Sequence, residues 1–276
     1  MSLQHNLQRR PKLIASDLDG TIVSHDGAIS QRTIDAFLKA HELGVKIFFV
    51  TGRPPRWMAE IRDAFGIGGA ICANGAMLYD LLNDIVLEEW LIPLDAQIET
   101  VKRLRVAIPN VSFAIESHEY YQREKAYIPR WDVGLDNVGV ETIEAVLNQP
   151  ALKMLARCSQ QELTSDQMLD IALTELKDLV TVTHSAANDS LLEISGLGVS
   201  KGMTLAKIAA RLDIDAADCV SFGDNPNDFS MLGWCGRSFA MADGHPDGPR
   251  YAKAVAARCV DDGVAIEIER LLELPA

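Results

Sequence analysis

The first 75 residues alternate short apolar runs with amphipathic stretches, and this alternation constrains the fold more than any other feature of the sequence. The apolar runs 13-LIAS-16, 45-VKIFFV-50 and 69-GAICA-73 predict buried strands. The stretches between them have the periodicity of amphipathic helices. Strand–helix–strand alternation favours right-handed βαβ units in an open α/β sheet. Such a sheet binds ligands at the carboxyl ends of its strands.

The pattern changes in the middle of the chain and then returns. Between the two occurrences, a helix over 94–107, strands at 111–115, 151–156, 179–183 and 190–195, and a helix near 164–177 are predicted. The first pattern then resumes with a helix over 201–212, strands at 218–223 and 237–241, a short helix over 226–232, and helices near 249–257 and 264–273. We predict a Rossmann-like α/β core with a mainly parallel sheet from 1–82 and 196–276, with an α+β cap domain inserted at 83–195.

Charge and composition exclude several classes of protein. The net charge of 26 − 39 = −13 disfavours general binding to nucleic acid, whose phosphates carry the same sign. The apolar runs are too short to span a bilayer, and the opening segment lacks the apolar stretch of a secretory signal. The five cysteines contain no C-x-x-C pair, which disfavours a zinc site. We expect a cytoplasmic monomer or homodimer with no nucleic-acid or membrane partner.

The segment 17-DLDGT-21 directly follows the first predicted strand. Two carboxylates two residues apart leave the strand end together, and Gly20 allows a tight turn. One carboxylate can act as a nucleophile and the other as a general acid and base, and both can bind Mg²⁺. An ordinary Asp-Gly turn or a calcium loop has the same local pattern, but Val23 and Ala28 stand where an EF-hand needs oxygen ligands.

Three further polar segments lie at predicted strand ends or helix starts. The segment 51-TGRP-54 offers a hydroxyl and backbone amides to a phosphate oxygen, or else caps a helix. The lysine of 200-SKG-202 can bind a phosphoryl oxygen and a carboxylate, or else lie in solvent. The carboxylates of 223-GDNPND-228 suit a metal, or else cap a turn. Together the four segments match phosphoryl transfer, which needs positioning and neutralisation of charge.

The ordered segments DLDGT, TGR, NGA, SKG, GDNPND and 261-DDGVA-265 resemble the haloacid dehalogenase superfamily of phosphatases. The similarity is to the Cof-like sugar-phosphatase branch, whose α/β cap is inserted after the second motif. It covers the whole core. The resemblance implies a Mg²⁺-dependent phosphatase that hydrolyses a small phosphorylated metabolite, for example a sugar phosphate, through an aspartyl-phosphate.

The resemblance also implies a role for each matching residue. Asp17 is the expected nucleophile, and Asp19 is expected to protonate the leaving alcohol and then to activate water. The expected phosphate-binding groups are Leu18, Thr51, Gly52, Lys201 and Asn227. The expected ligands of Mg²⁺ are the Asp17 carboxylate, the Asp19 main-chain carbonyl and Asp224, with Asp228 supporting them.

One segment departs from the branch. Where the branch has Met-Gly-Asn-Ala after the fifth core strand, this chain has 241-MADGHPDG-248, so the contact made by the family's asparagine is in question. Polar cap residues are candidates for binding the leaving group: Glu116, His118, Tyr120, Arg123, Arg157 and His184. Three other functions remain open at this point: a phosphotransferase or phosphomutase of the same superfamily, a non-catalytic binding or regulatory module, and a dehalogenase.

Overall fold

A computed structural model describes residues 9–117, 120–129, 137–158 and 162–275. The cap candidate His118 lies outside the described residues. The chain separates into two compact units. The first takes its described residues from Met1–Arg53, Trp57–Glu88 and Lys201–Ala276, and the second from Pro54–Arg56 and Glu89–Ser200.

The chain begins with alternating strands and helices. In order they are β1 (Leu13–Ser16), α1 (Gln31–Glu42), β2 (Lys46–Val50), α2 (Ala59–Phe65), β3 (Gly69–Cys72), β4 (Met77–Asp80) and β5 (Ile85–Glu89). The hydroxyl of Ser30 accepts a hydrogen bond from the Thr33 amide at 3.1 Å, which caps the first turn of α1. A short 3₁₀ turn, Pro55–Trp57, precedes α2, and α2 ends at Gly66 in the left-handed conformation.

The second unit is an antiparallel sheet covered by two helices. Its elements are α3 (Leu94–Ala107), β6 (Val111–Glu116), β7 (Tyr121–Arg123), β8 (Lys153–Cys158), α4 (Ser165–Leu176), β9 (Val180–Thr183) and β10 (Leu191–Gly196). The strand order is β7-β6-β8-β10-β9. Alternate residues of the strands, such as Phe113 and Met154, join Leu104 and Met168 of the helices in one hydrophobic core.

The remaining elements complete the sheet of the first unit. They are α5 (Lys201–Arg211), β11 (Cys219–Gly223), α6 (Phe229–Trp234), β12 (Arg237–Met241), α7 (Gly248–Tyr251), β13 (Ala254–Ala256) and α8 (Gly263–Leu272). The strand order is β13-β12-β11-β1-β2-β3-β4-β5. The pairs from β13 to β3 are parallel, whereas β4 is antiparallel to β3. The predicted fold class, a mainly parallel core sheet with a separate α+β unit, is confirmed.

The structure corrects one predicted element and adds others. The helix predicted near 249–257 is wrong: α7 ends at Tyr251, Ala252 is extended, and residues 254–256 form the edge strand β13. The three-residue strand Ala254–Ala256 is too short to show an alternating pattern, so the sequence does not distinguish it from a helix. The strands β4 and β5 were not predicted. None of the described helices is long and apolar enough to cross a bilayer.

Candidate active site

The predicted site residues follow three neighbouring strands. β1 lies between β2 and β11, and the three strands run parallel. Asp17 follows β1 directly, Thr51 follows β2, and Asp224 follows β11. The Asp17 amide donates a hydrogen bond to the carbonyl of Phe222 at 3.0 Å, so β11 holds the start of this turn. Residues that are distant in the sequence therefore meet at one edge of the sheet.

Lys201 is the first residue of α5, and its side chain is completely buried. Its Nζ lies 2.5 Å from Oδ1 of Asp17 and 2.7 Å from Oδ1 of Asp228. Burial disfavours the charged ammonium, but the two carboxylates outweigh this effect and raise the pKa of Lys201. Lys201 is therefore a cation held against the predicted nucleophile, and it is not a surface lysine.

Three carboxylates gather around this lysine. One oxygen from each of Asp17, Asp224 and Asp228 lies within 4.8 Å of the other two. Burial, followed by the negative charge of Asp228, raises the pKa of Asp17 to about 7, although Lys201 opposes the shift. Burial and the charge of Asp17 likewise raise the pKa of Asp224 well above its usual range. The cluster carries more negative charge than Lys201 neutralises.

This donor set fits a divalent cation. The three carboxyl groups outnumber the single ammonium of Lys201, and all their donor atoms are oxygens. Mg²⁺ prefers such hard oxygen ligands. The third predicted ligand, the main-chain carbonyl of Asp19, belongs to the same turn as Asp17. Burial and the neighbouring carboxylates raise the pKa of Asp17 and Asp224, and a divalent ion here would favour their ionised forms.

The turn after β11 positions Asp224. Oδ2 of Asp228 accepts hydrogen bonds from the amides of Asp224 and Asn225 at 2.9 and 3.0 Å. The turn after β1 must leave room for Asp224, because a Cβ added at Gly20 would lie 2.4 Å from Oδ2 of Asp224. Gly20 also has a φ of +82°, which favours glycine. Gly20 therefore allows the tight turn and also lets the Asp224 carboxylate lie close to it.

The Asp19 carboxylate lies apart from this cluster. Its side chain is 60% exposed, and both of its oxygens bind the guanidinium of Arg53, at 2.8 Å from Nε and 2.5 Å from Nη2. Arg53 also contacts the Glu60 carboxylate through Nη1. Arg53 lies within the segment 51-TGRP-54, but no role was predicted for it from the sequence. Its place in that motif, beside the phosphate-binding candidates, is the signal that could have identified it.

The phosphate-binding candidates Thr51 and Asn227 are joined through Asn74. The Asn74 amide donates to the carbonyl of Thr51 at 2.9 Å, and its side-chain oxygen accepts from Nδ2 of Asn227 at 3.0 Å. Asn74 has a φ of +57°, a left-handed conformation that asparagine tolerates better than most residues. No role was predicted for Asn74 beyond its place in the segment NGA, because a contact between distant loops leaves no local pattern.

The other two phosphate-binding candidates lie in the turns after β1 and β2. The carbonyl of Leu18 accepts the amides of Thr21, Ile22 and Val23, which closes the first turn, and the Leu18 side chain is buried. Gly52 lies between Thr51 and Arg53, and the Thr51 hydroxyl accepts the Arg53 amide at 3.1 Å. These two turns follow β1 and β2, which are adjacent strands of the sheet.

The segment 241–248 packs on Asp224. The His245 amide donates to the Asp224 carbonyl at 2.7 Å, and a Cβ added at Gly244 would lie 2.5 Å from that oxygen. The segment that departs from the branch's usual Met-Gly-Asn-Ala therefore supports the backbone of a predicted metal ligand in this chain.

The described polar candidates of the second unit are mostly engaged within it. Glu116 forms a two-point ion pair with Arg56 at 2.6 and 2.7 Å. Arg123 donates to three main-chain carbonyls, and Arg157 lies over the ring of Tyr127. Nε2 of His184 lies 2.8 Å from the Asp166 carboxylate. Tyr120 packs at the edge of the helix-covered core.

Comparison with known proteins gives consistent matches over nearly the whole chain. The family model of haloacid dehalogenase-like hydrolases matches residues 14–268. A 5-amino-6-(5-phospho-D-ribitylamino)uracil phosphatase of Bacillus subtilis is 23% identical, and the match covers 94% of this chain and 97% of the relative.

Two solved structures show the same fold over both units. The sugar phosphatase BT4131, described as subclass IIB of the superfamily, is 23% identical with a TM-score of 0.77, over 94% of this chain and 98% of the other. The phosphatase BT1666 from Bacteroides thetaiotaomicron is 21% identical with a TM-score of 0.78, over 95% of each chain.

Proposed function

The chain belongs to the family of haloacid dehalogenase-like hydrolases, and from this premise we propose that it is a Mg²⁺-dependent phosphatase of small phosphorylated metabolites. The resemblance seen in the motifs is thereby confirmed at the level of the family, and the fold likeness to a subclass IIB sugar phosphatase agrees with the Cof-like branch. A sugar phosphate is the substrate class that this likeness favours.

The observation that carries the proposal is the arrangement of Lys201 between Asp17 and Asp228, with Asp224 beside them. A nucleophile that attacks a phosphate must approach a group of its own charge. The buried ammonium holds Asp17 in place and would bind a phosphoryl oxygen as well.

The proposed metal site consists of Asp17, the main-chain carbonyl of Asp19 and Asp224, with Asp228 holding the turn that carries Asp224. When bound, Mg²⁺ would supply positive charge for the phosphoryl oxygens and for the carboxylate cluster. The proposed contacts to the other phosphoryl oxygens are Thr51, the amides of Leu18 and Gly52, and Asn227.

In the proposed first step, a carboxylate oxygen of Asp17 attacks phosphorus. The bond from phosphorus to the leaving oxygen breaks, and Asp19 donates its proton to that oxygen, so an alcohol departs and Asp17 carries the phosphoryl group. In the second step, Asp19 takes a proton from water as the water oxygen attacks phosphorus. The aspartyl ester breaks, phosphate leaves, and Asp17 and Asp19 return to their starting states.

The second unit, Pro54–Arg56 with Glu89–Ser200, is the proposed cap, for which the sequence predicted the boundaries 83–195. In this role its polar side chains contact the leaving group. The phosphoryl-binding residues do not select the leaving group, because they contact only the phosphoryl group. Glu116, Tyr120, Arg123, Arg157 and His184 are the described candidates. A sugar hydroxyl in place of water would turn the same site into a phosphotransferase or phosphomutase, so the reaction products decide between these activities.

The test is phosphate release from a panel of phosphomonoesters, measured with Mg²⁺ and with EDTA. Wild-type protein is expected to release phosphate only with the metal. Asp17→Asn is expected to lose at least about 10³-fold in kcat, because the covalent route is closed. Asp35→Asn, an exposed aspartate on α1, is the matched control and should keep wild-type activity.

Each alternative has its own signature in this assay. An isomerised phosphosugar with no free phosphate would support a phosphomutase in place of the hydrolase. Binding without turnover would support a non-catalytic module. Release that persists at full rate in Asp17→Asn would overturn the assignment of the nucleophile.

A further inference from the structure

Arg53 and Asp19 form a closed ion pair in the first unit. Nε and Nη2 of the guanidinium each donate to a different oxygen of Asp19, at 2.8 and 2.5 Å. This two-point geometry fixes the plane of a carboxylate, which a lysine in the same place does not do. The side chain of Asp19 is 60% exposed, so its rotamer is set mainly by this contact and not by packing.

The guanidinium is itself held from two other directions. Its Nη1 binds the carboxylate of Glu60 and points to the carbonyl of Trp57 at 3.5 Å. The Arg53 amide donates to the Thr51 hydroxyl at 3.1 Å, so the backbone that carries the guanidinium is tied to the proposed phosphoryl-binding turn. Glu60, Arg53 and Asp19 thus form a chain of contacts from α2 to the DLDGT turn.

We propose that Arg53, supported by Glu60, is a positioning residue that sets the carboxylate of Asp19 relative to the departing oxygen. This inference rests on the proposed phosphatase activity. An exposed carboxylate without a partner would sample several rotamers, and proton transfer requires it within hydrogen-bond distance of the leaving oxygen. Arg53 limits Asp19 to a narrow range of positions anchored on the Thr51 turn. To donate its proton, Asp19 then has to release one carboxylate oxygen from Arg53 while its other oxygen stays hydrogen-bonded to the guanidinium.

The consequence is a dependence on the leaving group. A leaving alcohol of high pKa needs a proton from Asp19 as its bond to phosphorus breaks, whereas an acidic phenol departs with little help. Loss of Arg53 should therefore slow poor leaving groups far more than good ones. A general loss of folding or of phosphate binding would slow both alike.

The experiment compares phenyl phosphate with 4-nitrophenyl phosphate, which have the same ring and differ in the acidity of the phenol. For Arg53→Met we expect kcat/KM to fall by about 10–100-fold with phenyl phosphate, and by less than about threefold with 4-nitrophenyl phosphate. The quantity kcat/KM reports the steps up to departure of the leaving group, which is the step in question. Arg53→Lys should recover part of the loss, and Glu60→Gln should show a weaker loss of the same kind.

Arg62→Met is the matched control, because Arg62 lies on α2 and pairs with its exposed neighbour Asp63. It should leave both substrates unchanged. Equal losses with both substrates in Arg53→Met, or no loss with either, would overturn the inference while leaving the phosphatase proposal intact. If Arg53→Met does not fold, the same ratio measured in Glu60→Gln decides the question. Wild-type protein that hydrolyses no phosphomonoester would instead refute the proposed function.

Discussion

Buried charges occur in both units of the molecule, and two of the places where they lie can be compared. On the sheet of the second unit, Nζ of Lys153 lies 2.9 Å from Glu193, and both side chains are less than one-tenth exposed. In the first unit, one buried lysine faces Asp17 and Asp228, and Asp224 lies beside them.

We interpret the difference as one between buried charges that serve structure and buried charges that would serve the proposed chemistry. In the ion pair of Lys153 and Glu193 each charge offsets part of the burial cost of the other, and Ser185 donates a further hydrogen bond to Glu193 at 2.6 Å. In the cluster around Lys201, burial and then the charge of Asp228 raise the pKa of Asp17 although Lys201 opposes the shift. An arrangement that is costly to fold persists where a cation or a substrate completes it.

The largest effect is expected at Lys201. Lys201→Met should abolish phosphatase activity and lower the free energy of unfolding by about 3–5 kcal/mol, because it leaves buried carboxylates without their cation. Urea unfolding in EDTA measures the loss of stability. Addition of Mg²⁺ should recover part of it, since the same carboxylates would bind the ion. A variant as stable as wild type would contradict the view that this cluster is a strained one.

A smaller effect is expected at the ion pair of Lys153 and Glu193. Lys153→Met should lower the free energy of unfolding by about 3 kcal/mol, the low end for a broken buried pair, because Ser185 still donates to Glu193. Mg²⁺ should not recover this loss. Measuring both lysine variants with and without Mg²⁺ tests the contrast between the two places. Equal recovery of the free energy of unfolding in both variants would contradict that contrast.

The smallest effect concerns pH in the metal-free protein. The pKa of Asp17 is about 7 in the folded chain and near 4 when unfolded, so the folded state holds the extra proton between these values. This contribution to stability is fully present below pH 4 and is lost as pH rises towards 7. We expect the free energy of unfolding in EDTA to fall by about 2 kcal/mol from pH 5.5 to 7.

The control for this pH dependence is Asp17→Asn, which removes the titrating group. Its stability in EDTA should change less over the same range. A wild-type stability that rises between pH 5.5 and 7 would show that Lys201 stabilises ionised Asp17 more than burial and Asp228 destabilise it. Thermal or urea unfolding at the two pH values is sufficient to decide.

The parts of the site that the sequence predicted are those with a local pattern. Asp17, Thr51 and Asp224 each follow an apolar strand, and Lys201 begins a helix, so their places at the sheet edge follow from βαβ topology. The structure brings Asp17, Lys201, Asp224 and Asp228 together as that topology requires. The roles of the individual residues remain proposals that the experiments above address.

The parts that were missed depend on contacts between distant segments. The pair of Arg53 with Asp19 joins two loops, and the contact of Asn74 with Asn227 joins two others. The edge strand Ala254–Ala256 was predicted as helix because three residues carry no readable period, and pairing with β12 decides its conformation. Local propensity is weak compared with such tertiary contacts.

The sequence by itself determined the α/β class, the order of the motifs and the strand ends that bear them, because hydrophobic periodicity and turn residues act within a few positions. Only the tertiary structure decided how the charges combine. It placed Asp17 and Asp228 on one buried ammonium with Asp224 beside them, and turned the fourth carboxylate, that of Asp19, toward Arg53. The energy of a charge depends on its burial and on the neighbours within a few ångströms, and these are properties of the folded chain.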